Sequence, residues 1–165
     1  MNYSIAPITE SHIEGFRLAM DSVAKERQHL ARTEAPSYEK SYRFVMDNLE
    51  KNFPLFVALS DDLVVGWCDI ASRSQLPAFA HTGTLGMGVI EPFRGLGVGK
   101  ALLRATIDKA REIGLVRIEL ELKENNAAAL NLYQKFGFSM ECIKEKALWN
   151  GEAFENFISM SLLLK

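Results

Sequence analysis

The chain has 165 residues, 48% of them hydrophobic and 24% charged, with a net charge of −2. That length and mix predict one globular domain, 1–165, large enough for its own core. Acids and bases are interspersed, so no basic stripe marks a nucleic-acid partner, and no apolar run reaches the ~20 residues that span a bilayer.

The first stretch, "MNYSIAPITESH", lacks a basic n-region and an apolar h-region, so it is not read as a signal peptide. Within it "YSIAPI" reads as a short strand. "SHIE", Ser11 to Glu14, has the capping-box pattern and opens a helix to about Arg27, with Ile13, Phe16, Leu18, Met20 and Val23 as its apolar face. "LARTEAPS" is a loop stopped by Pro36. Ser37 can cap a second helix, with Tyr42, Val45, Met46 and Leu49 near one side.

The period then changes from helical to alternating. "PLFVALS" and "LVVGWCDIAS" read as strands joined by a turn at Asp61 and Asp62. "SQLPAFA", opening at Ser74, connects to "TGTLGMGVI". That strand carries Gly83, Gly86 and Gly88, which predict a bulge or the close approach of another backbone. A helix from about Gly97 to Ile113 has Ala101, Leu102, Ala105, Ile107 and Ala110 to bury and is stopped by Gly114. In "LVRIELELK", Ile118, Leu120 and Leu122 face one way and Glu119 and Glu121 the other. Asn125 or Asn126 caps a helix through Leu130 and Tyr133, ended by Gly137. A hairpin with an Asn150-Gly151 turn closes the chain. The order β-α-α-β-β-β-α-β-α-β-β makes a mixed α/β domain. Cys68 and Cys142 lie far apart and outside any C-x-x-C, which suits a reducing compartment. A cytoplasmic protein without a metal site is expected, since no zinc-ligand spacing is present.

The most specific local feature is "VIEPFRGLGVGKALL". Gly95, Gly97 and Gly99 alternate where a strand hands over to a helix, with Arg94 in front. A plain turn would need one glycine. Three at alternate positions turn bare N–H groups and the positive end of a helix dipole towards an anion such as a phosphate. A P-loop is excluded: G-x-x-x-x-G-K-[ST] would need glycine at Arg94 and a hydroxyl at Ala101. A dinucleotide fingerprint would need glycine at Lys100.

"RGLGVG", Arg94 to Gly99, resembles the [Q/R]-x-x-G-x-[G/A] pyrophosphate loop of the GNAT superfamily, the acetyl-CoA-dependent N-acetyltransferases. "LELKENNAAALNLYQKFGF", Leu120 to Phe138, resembles that family's second cofactor region: strand, asparagine, short helix, tyrosine, then Gly-Phe. The spacing of the two blocks agrees, and so does the element order, although residues 1–60 are supported by topology alone. The resemblance implies an α/β (α+β) fold, with a mixed, mostly antiparallel sheet of about seven strands and about four helices. It implies acetyl-CoA as cosubstrate. The backbone N–H groups of Arg94, Gly95, Leu96, Gly97, Val98, Gly99 and Lys100 would cradle its diphosphate. The backbone of Met87, Gly88 and Val89 would pair with pantetheine beside a strand kinked by its glycines. An N–H near Val89 would face the oxyanion, and Asn126 would bond the cofactor or cap the helix.

By the same resemblance Tyr133 is the general acid, a phenol with a reference pKa of ~10 that keeps its proton for the departing thiolate. The base is left open. Glu121 resembles the catalytic glutamate of the members that acetylate the N-terminal amine of a ribosomal protein; its other reading is a solvated strand face. His81 is the second candidate and water the third. The acceptor would enter between the first two helices and the last hairpin. Glu26, Glu34 and Glu39 suit a cationic amine there, Arg27 and Arg32 a carboxylate, and Phe53, Phe56, Trp67 and Trp149 are either pocket wall or core. The expected activity is transfer of an acetyl group to a primary amine, on a small molecule or a protein N-terminus or lysine. The alternative is a catalytically idle acyl-CoA sensor, which needs the loop but not Tyr133. A homodimer is expected by analogy with the fold.

Overall fold

Four helices and seven strands follow one another as the sequence predicts. The computed structural model describes residues 2–73 and 75–165; Ser74, where the predicted connection opens, lies outside the described residues. The elements are β1 (Ser4–Pro7), α1 (Ile13–Lys25), α2 (Tyr38–Glu50), β2 (Leu55–Ser60), β3 (Leu63–Ser72), β4 (Thr82–Val89), α3 (Val98–Glu112), β5 (Arg117–Lys123), α4 (Ala127–Lys135), β6 (Ser139–Trp149) and β7 (Phe154–Leu163). The strands form one sheet in the order β1-β2-β3-β4-β5-β7-β6. Every neighbouring pair is antiparallel except β4 and β5.

Each face of the sheet carries its own core. On one side Phe16 of α1 and Val45 of α2 pack with Trp67 of β3, the Phe16 and Trp67 rings meeting edge to face at 5.9 Å. On the other, Leu102, Leu103 and Ile107 of α3 and Tyr133 of α4 pack with Cys68 and Ile70 of β3 and with Ile118 and Leu120 of β5. Strand alternation explains the partition, because successive residues of β3 point to opposite faces.

Local signals set most element ends. Ser37 caps α2 by accepting from the Lys40 amide at 3.4 Å. Asp61 and Asp62 both adopt positive φ, as a tight hairpin turn requires. The first capping box differs from expectation. It is formed by Thr9 and His12, two residues earlier than Ser11 and Glu14, because a short 3-10 turn at Glu10–His12 precedes α1. The buried stripe of α1 is Ile13, Phe16, Ala19, Val23 and Ala24, and Leu18 faces solvent.

The glycines of β4 do not kink it. The register with β3 runs unbroken from Gly66↔Val89 to Ser72↔Gly83. They make room for the side chains of β3 instead. A Cβ on Gly88 would lie 2.3 Å from the Trp67 ring, and one on Gly83 2.2 Å from Ile70. The opening appears on the other side of β4. Its pairing with β5 stops after Thr84↔Glu119, although β4 runs on to Val89 and β5 to Lys123. The sheet is split there.

Candidate active site

The split leaves one edge of β4 without a partner, and the register says which groups line it. Ile90 donates to the Val65 carbonyl and Arg73 to the Thr82 carbonyl. Antiparallel ladders alternate, so those two bonds set the phase. Trp67 exchanges bonds with Gly88, and Asp69 with Gly86. Leu85, Met87 and Val89 therefore turn their N–H and C=O groups away from β3 and into the split. Of the predicted contacts, Met87 keeps a strand edge that a ligand backbone can pair with, and Val89 keeps its N–H, its carbonyl being taken by Arg94. Gly88 does not, since its N–H is committed to β3 and its contribution is room for Trp67.

The glycine loop lies at the end of this edge. A 3-10 turn at Glu91–Phe93 leads into it, Gly95 and Gly97 take positive φ of 74° and 86°, and Gly97 caps α3. The α3 ladder begins with the Ala101 amide bonding the Gly97 carbonyl. Among the described residues, no well-formed hydrogen bond engages the amides of Gly95, Leu96, Gly97, Val98, Gly99 and Lys100, although residues 94–97 form a tight turn. Nothing lies within 4 Å of a Cβ built on Gly95, whereas one on Gly97 would meet the Tyr3 hydroxyl at 3.4 Å and one on Gly99 the Met87 side chain at 3.3 Å. Consecutive amides at a helix N-terminus are suited to cradle an anion.

Arg94 departs from its predicted role. Its own amide bonds the Glu91 carbonyl. Its guanidinium turns back into the protein, donating to the Val89 carbonyl at 2.8 Å and to both oxygens of Glu26 at 2.8 and 2.7 Å, with His29 3.3 Å away. The cradle thus starts at Gly95, and Arg94 clamps it to the end of α1. The guanidinium holds Glu26 below the usual carboxylate range. Burial, reinforced by the Arg94 charge, lowers His29. Lys123, almost fully buried, holds the same loop from the other side through the Arg27 carbonyl at 3.0 Å and pairs with Glu155 at 2.8 Å.

Tyr133 lies in the core on the α3–α4 face of the sheet. It is buried against Phe138, ring centroids 5.5 Å apart, and among the described residues its hydroxyl has no hydrogen-bond partner. Burial, with Cys68 and Asp69 adding to it, pushes its pKa up, so the phenol keeps its proton. Asn126 caps α4, its side-chain oxygen accepting from the Ala129 amide at 3.2 Å. Glu121 is exposed on β5, and Lys144 of β6 engages its carboxylate. His81 is exposed at the start of β4 and lines neither of the two clefts on this part of the sheet.

Opposite Tyr133, a cleft of 730 Å³ opens between α1, α2 and the split, bordered by Met87 and Glu121. Trp67 lines it, whereas Phe53 and Phe56 belong to the core behind the sheet and Trp149 packs on Phe154 at the tip of the last hairpin. Its polar floor is Asp69, which the sequence reading missed. Asp69 is 7% exposed and burial raises its carboxyl to about 7. Among the described residues nothing bonds it. The lone acid in "VVGWCDIAS" was the available signal: a charge inside a continuous apolar strand must be buried or sit at an end. Among the described residues no cluster of side chains suits a metal ion, and no helix is long and apolar enough to cross a membrane.

Fold and site together define a mixed α/β protein whose split sheet runs into a glycine loop at a helix N-terminus. The acetyltransferase (GNAT) family model matches residues 20–138, and the chain belongs to that family. It is 32% identical over 138 residues to an N-alpha-acetyltransferase of Sulfurisphaera tokodaii, covering 78% of this chain and 80% of that one. A ribosomal-protein-alanine N-acetyltransferase from Brucella melitensis superposes with a TM-score of 0.90 at 20% identity, covering 98% and 99% of the two chains. A phosphinothricin acetyltransferase from Sinorhizobium meliloti in complex with acetyl-CoA superposes with a TM-score of 0.92 at 14% identity, covering 99% and 89%. The mostly antiparallel seven-stranded sheet with four helices is the fold of these neighbours.

Proposed function

We propose that this chain transfers an acetyl group from acetyl-CoA to a primary amine, with Tyr133 as the general acid. The run of amides from Gly95 to Lys100 at the start of α3, following the open edge of β4 at Met87, carries this reading. It offers a diphosphate and an amide-bearing arm the groups each needs, in the order in which coenzyme A presents them. Acetyl-CoA supplies the activated thioester. The chain supplies the rest. The amides hold the diphosphate, and Met87 pairs with the arm. The Val89 N–H, which the β3–β4 register turns towards the split, donates to the developing oxyanion. Tyr133, kept protonated by burial, gives its proton to the departing thiolate. Asn126 keeps its side-chain NH₂ for the cofactor while its oxygen caps α4. Glu121, exposed and engaged by Lys144, is better explained as a solvated rim carboxylate than as the base.

Two measurements test this. Titration calorimetry is expected to show acetyl-CoA binding more tightly than NADH or ATP. Thiol release, followed with 2-phenylethylamine, L-lysine and an alanine-ended peptide as acceptors, is expected to exceed background for at least one. Tight acetyl-CoA binding with no turnover on any amine would assign the chain to the idle sensor class instead.

A further inference from the structure

Asp69 has no structural reason to be charged. It sits on β3 opposite Gly86, on the face covered by α1 and α2, buried and without a hydrogen bond or ion pair among the described residues. An apolar residue would suit a sheet interior better, because an unpartnered buried carboxylate is costly. The neighbouring strand is shaped around it: a Cβ on Gly86 would lie 3.2 Å from its Oδ1. It opens into the cleft beside Met87, where β4 parts from β5. Tyr133 lies on the opposite face of the sheet, near enough for the Asp69 charge to raise its pKa.

We propose that Asp69 receives the ammonium group of the acceptor in this cleft and takes its proton, releasing the neutral amine to attack the thioester lodged in the split. The proposal rests on the acetyl-transfer reading. One proton passes from R–NH₃⁺ to an Asp69 oxygen. The freed nitrogen lone pair forms the C–N bond at the acetyl carbonyl. The C–S bond breaks with its electron pair on sulfur, and the thiolate takes the Tyr133 proton. Asp69 sheds the ammonium proton to water, takes the second proton from the newly acylated nitrogen and sheds it in turn, while Tyr133 is reprotonated from water. Amine and thiolate are thus served from opposite faces of one sheet, so acid and base never compete for the same proton.

The surroundings suit that role. Burial lifts the Asp69 carboxyl to about 7, so near neutrality it both takes and returns a proton. The titratable groups around it are Cys68 on its own strand, Tyr133 from α4, Glu121 and Lys123 from β5, His29 and Arg32 from the loop before α2, and Lys40 from α2. The cations among them are engaged elsewhere or stand at the cleft wall, and none bonds Asp69. Ser41 of α2 lines the same cleft with a buried hydroxyl that has no partner, which offers the acceptor a second polar contact. Phe16, Phe44 and Trp67 form the apolar wall. The acceptor this arrangement fits is a primary amine on a compact apolar or aromatic body.

The test uses whichever of 2-phenylethylamine, L-lysine and the alanine-ended peptide turns over fastest, with thiol release followed from about pH 5.5 to 9.5. Asp69→Asn is expected to lower kcat/KM at least 100-fold at pH 7 while the acetyl-CoA Kd stays within twofold. It is also expected to abolish the inflection near 7, leaving a rise set by the amine itself. Independently of activity, the Tm advantage of the variant over wild type is expected to widen as pH rises. A rate within threefold of wild type with an unchanged profile, a collapse in Glu121→Gln that Asp69→Asn does not share, or a Tm difference flat with pH would each overturn the assignment. If wild type itself releases no thiol with any amine, the acetyl-transfer reading falls and takes the base with it. That outcome is distinct because it appears in wild type and not only in the variant.

Discussion

Replacing Asp69 with asparagine should make the protein more stable, and increasingly so as pH rises. Asparagine has nearly the same shape and no charge, so cavity and strain effects are small. The wild-type carboxyl rises from the usual 3.8 to about 7 on folding, because burial disfavours its ionised form. Below pH 3.8 it is protonated in folded and unfolded chains alike, and no penalty exists. Between 3.8 and 7 the unfolded chain gives up its proton first, so wild-type stability falls with rising pH; above 7 the loss is complete. At 1.36 kcal/mol per pH unit, the full loss is about 4 kcal/mol. For a domain of this size each kcal/mol moves Tm by roughly 2–4 °C, so the upper bound is about 8–16 °C. Every other titrating group is shared by the two proteins and cancels in the difference. Differential scanning calorimetry of both, at pH 5, 6, 7 and 8.5, is expected to show the gap widening by at least ~5 °C. A gap constant within about 1 °C would show that the carboxyl is not desolvated in the folded chain, and the reasoning about the cleft floor would fail.

Gly97→Glu should weaken acetyl-CoA binding at least tenfold by calorimetry, because a side chain and a negative charge enter the cradle. Its positive φ should also cost about 1 kcal/mol in chemical denaturation; unchanged affinity in the folded variant would remove the loop from the site. Gly88→Ala should lower stability by about 1–3 kcal/mol and perturb Trp67 fluorescence, since its Cβ would lie 2.3 Å from the indole. A neutral result would contradict the β3–β4 packing. Tyr133→Phe should lower kcat by roughly 10²-fold or more. Acetyl-CoA affinity should hardly change, and stability should fall by less than about 1 kcal/mol, because the hydroxyl has no partner to lose.

Much of this molecule is legible along the chain because much of it is decided locally. Periodicity places the helices and strands, Ser37 and Asn126 place two caps, and the alternating glycines before α3 announce free amides over a span of a few residues. Those signals lie within one turn or one hairpin of the structure they produce. The misreadings have a common cause. Whether Arg94 faces an anion or the protein depends on Glu26, 68 residues away in sequence, which turns its guanidinium inward. Whether the glycines of β4 bend the strand or admit side chains depends on Trp67 and Ile70 of the neighbouring strand. The split between β4 and β5 depends on where a parallel pair stops, and it decides which amides of β4 are free.

Asp69 shows the limit most clearly. In sequence its one signal is its place inside an apolar strand, and no motif gives it a role. Only packing removes its water, withholds a counterion and opens it to the cleft. Desolvation is a property of everything within a few ångströms, contributed here by α1, α2 and three strands. The sequence by itself therefore determined the elements, their order and the glycine turn before α3. The tertiary structure decided which charged groups are neutralised by a partner and which one is left to react.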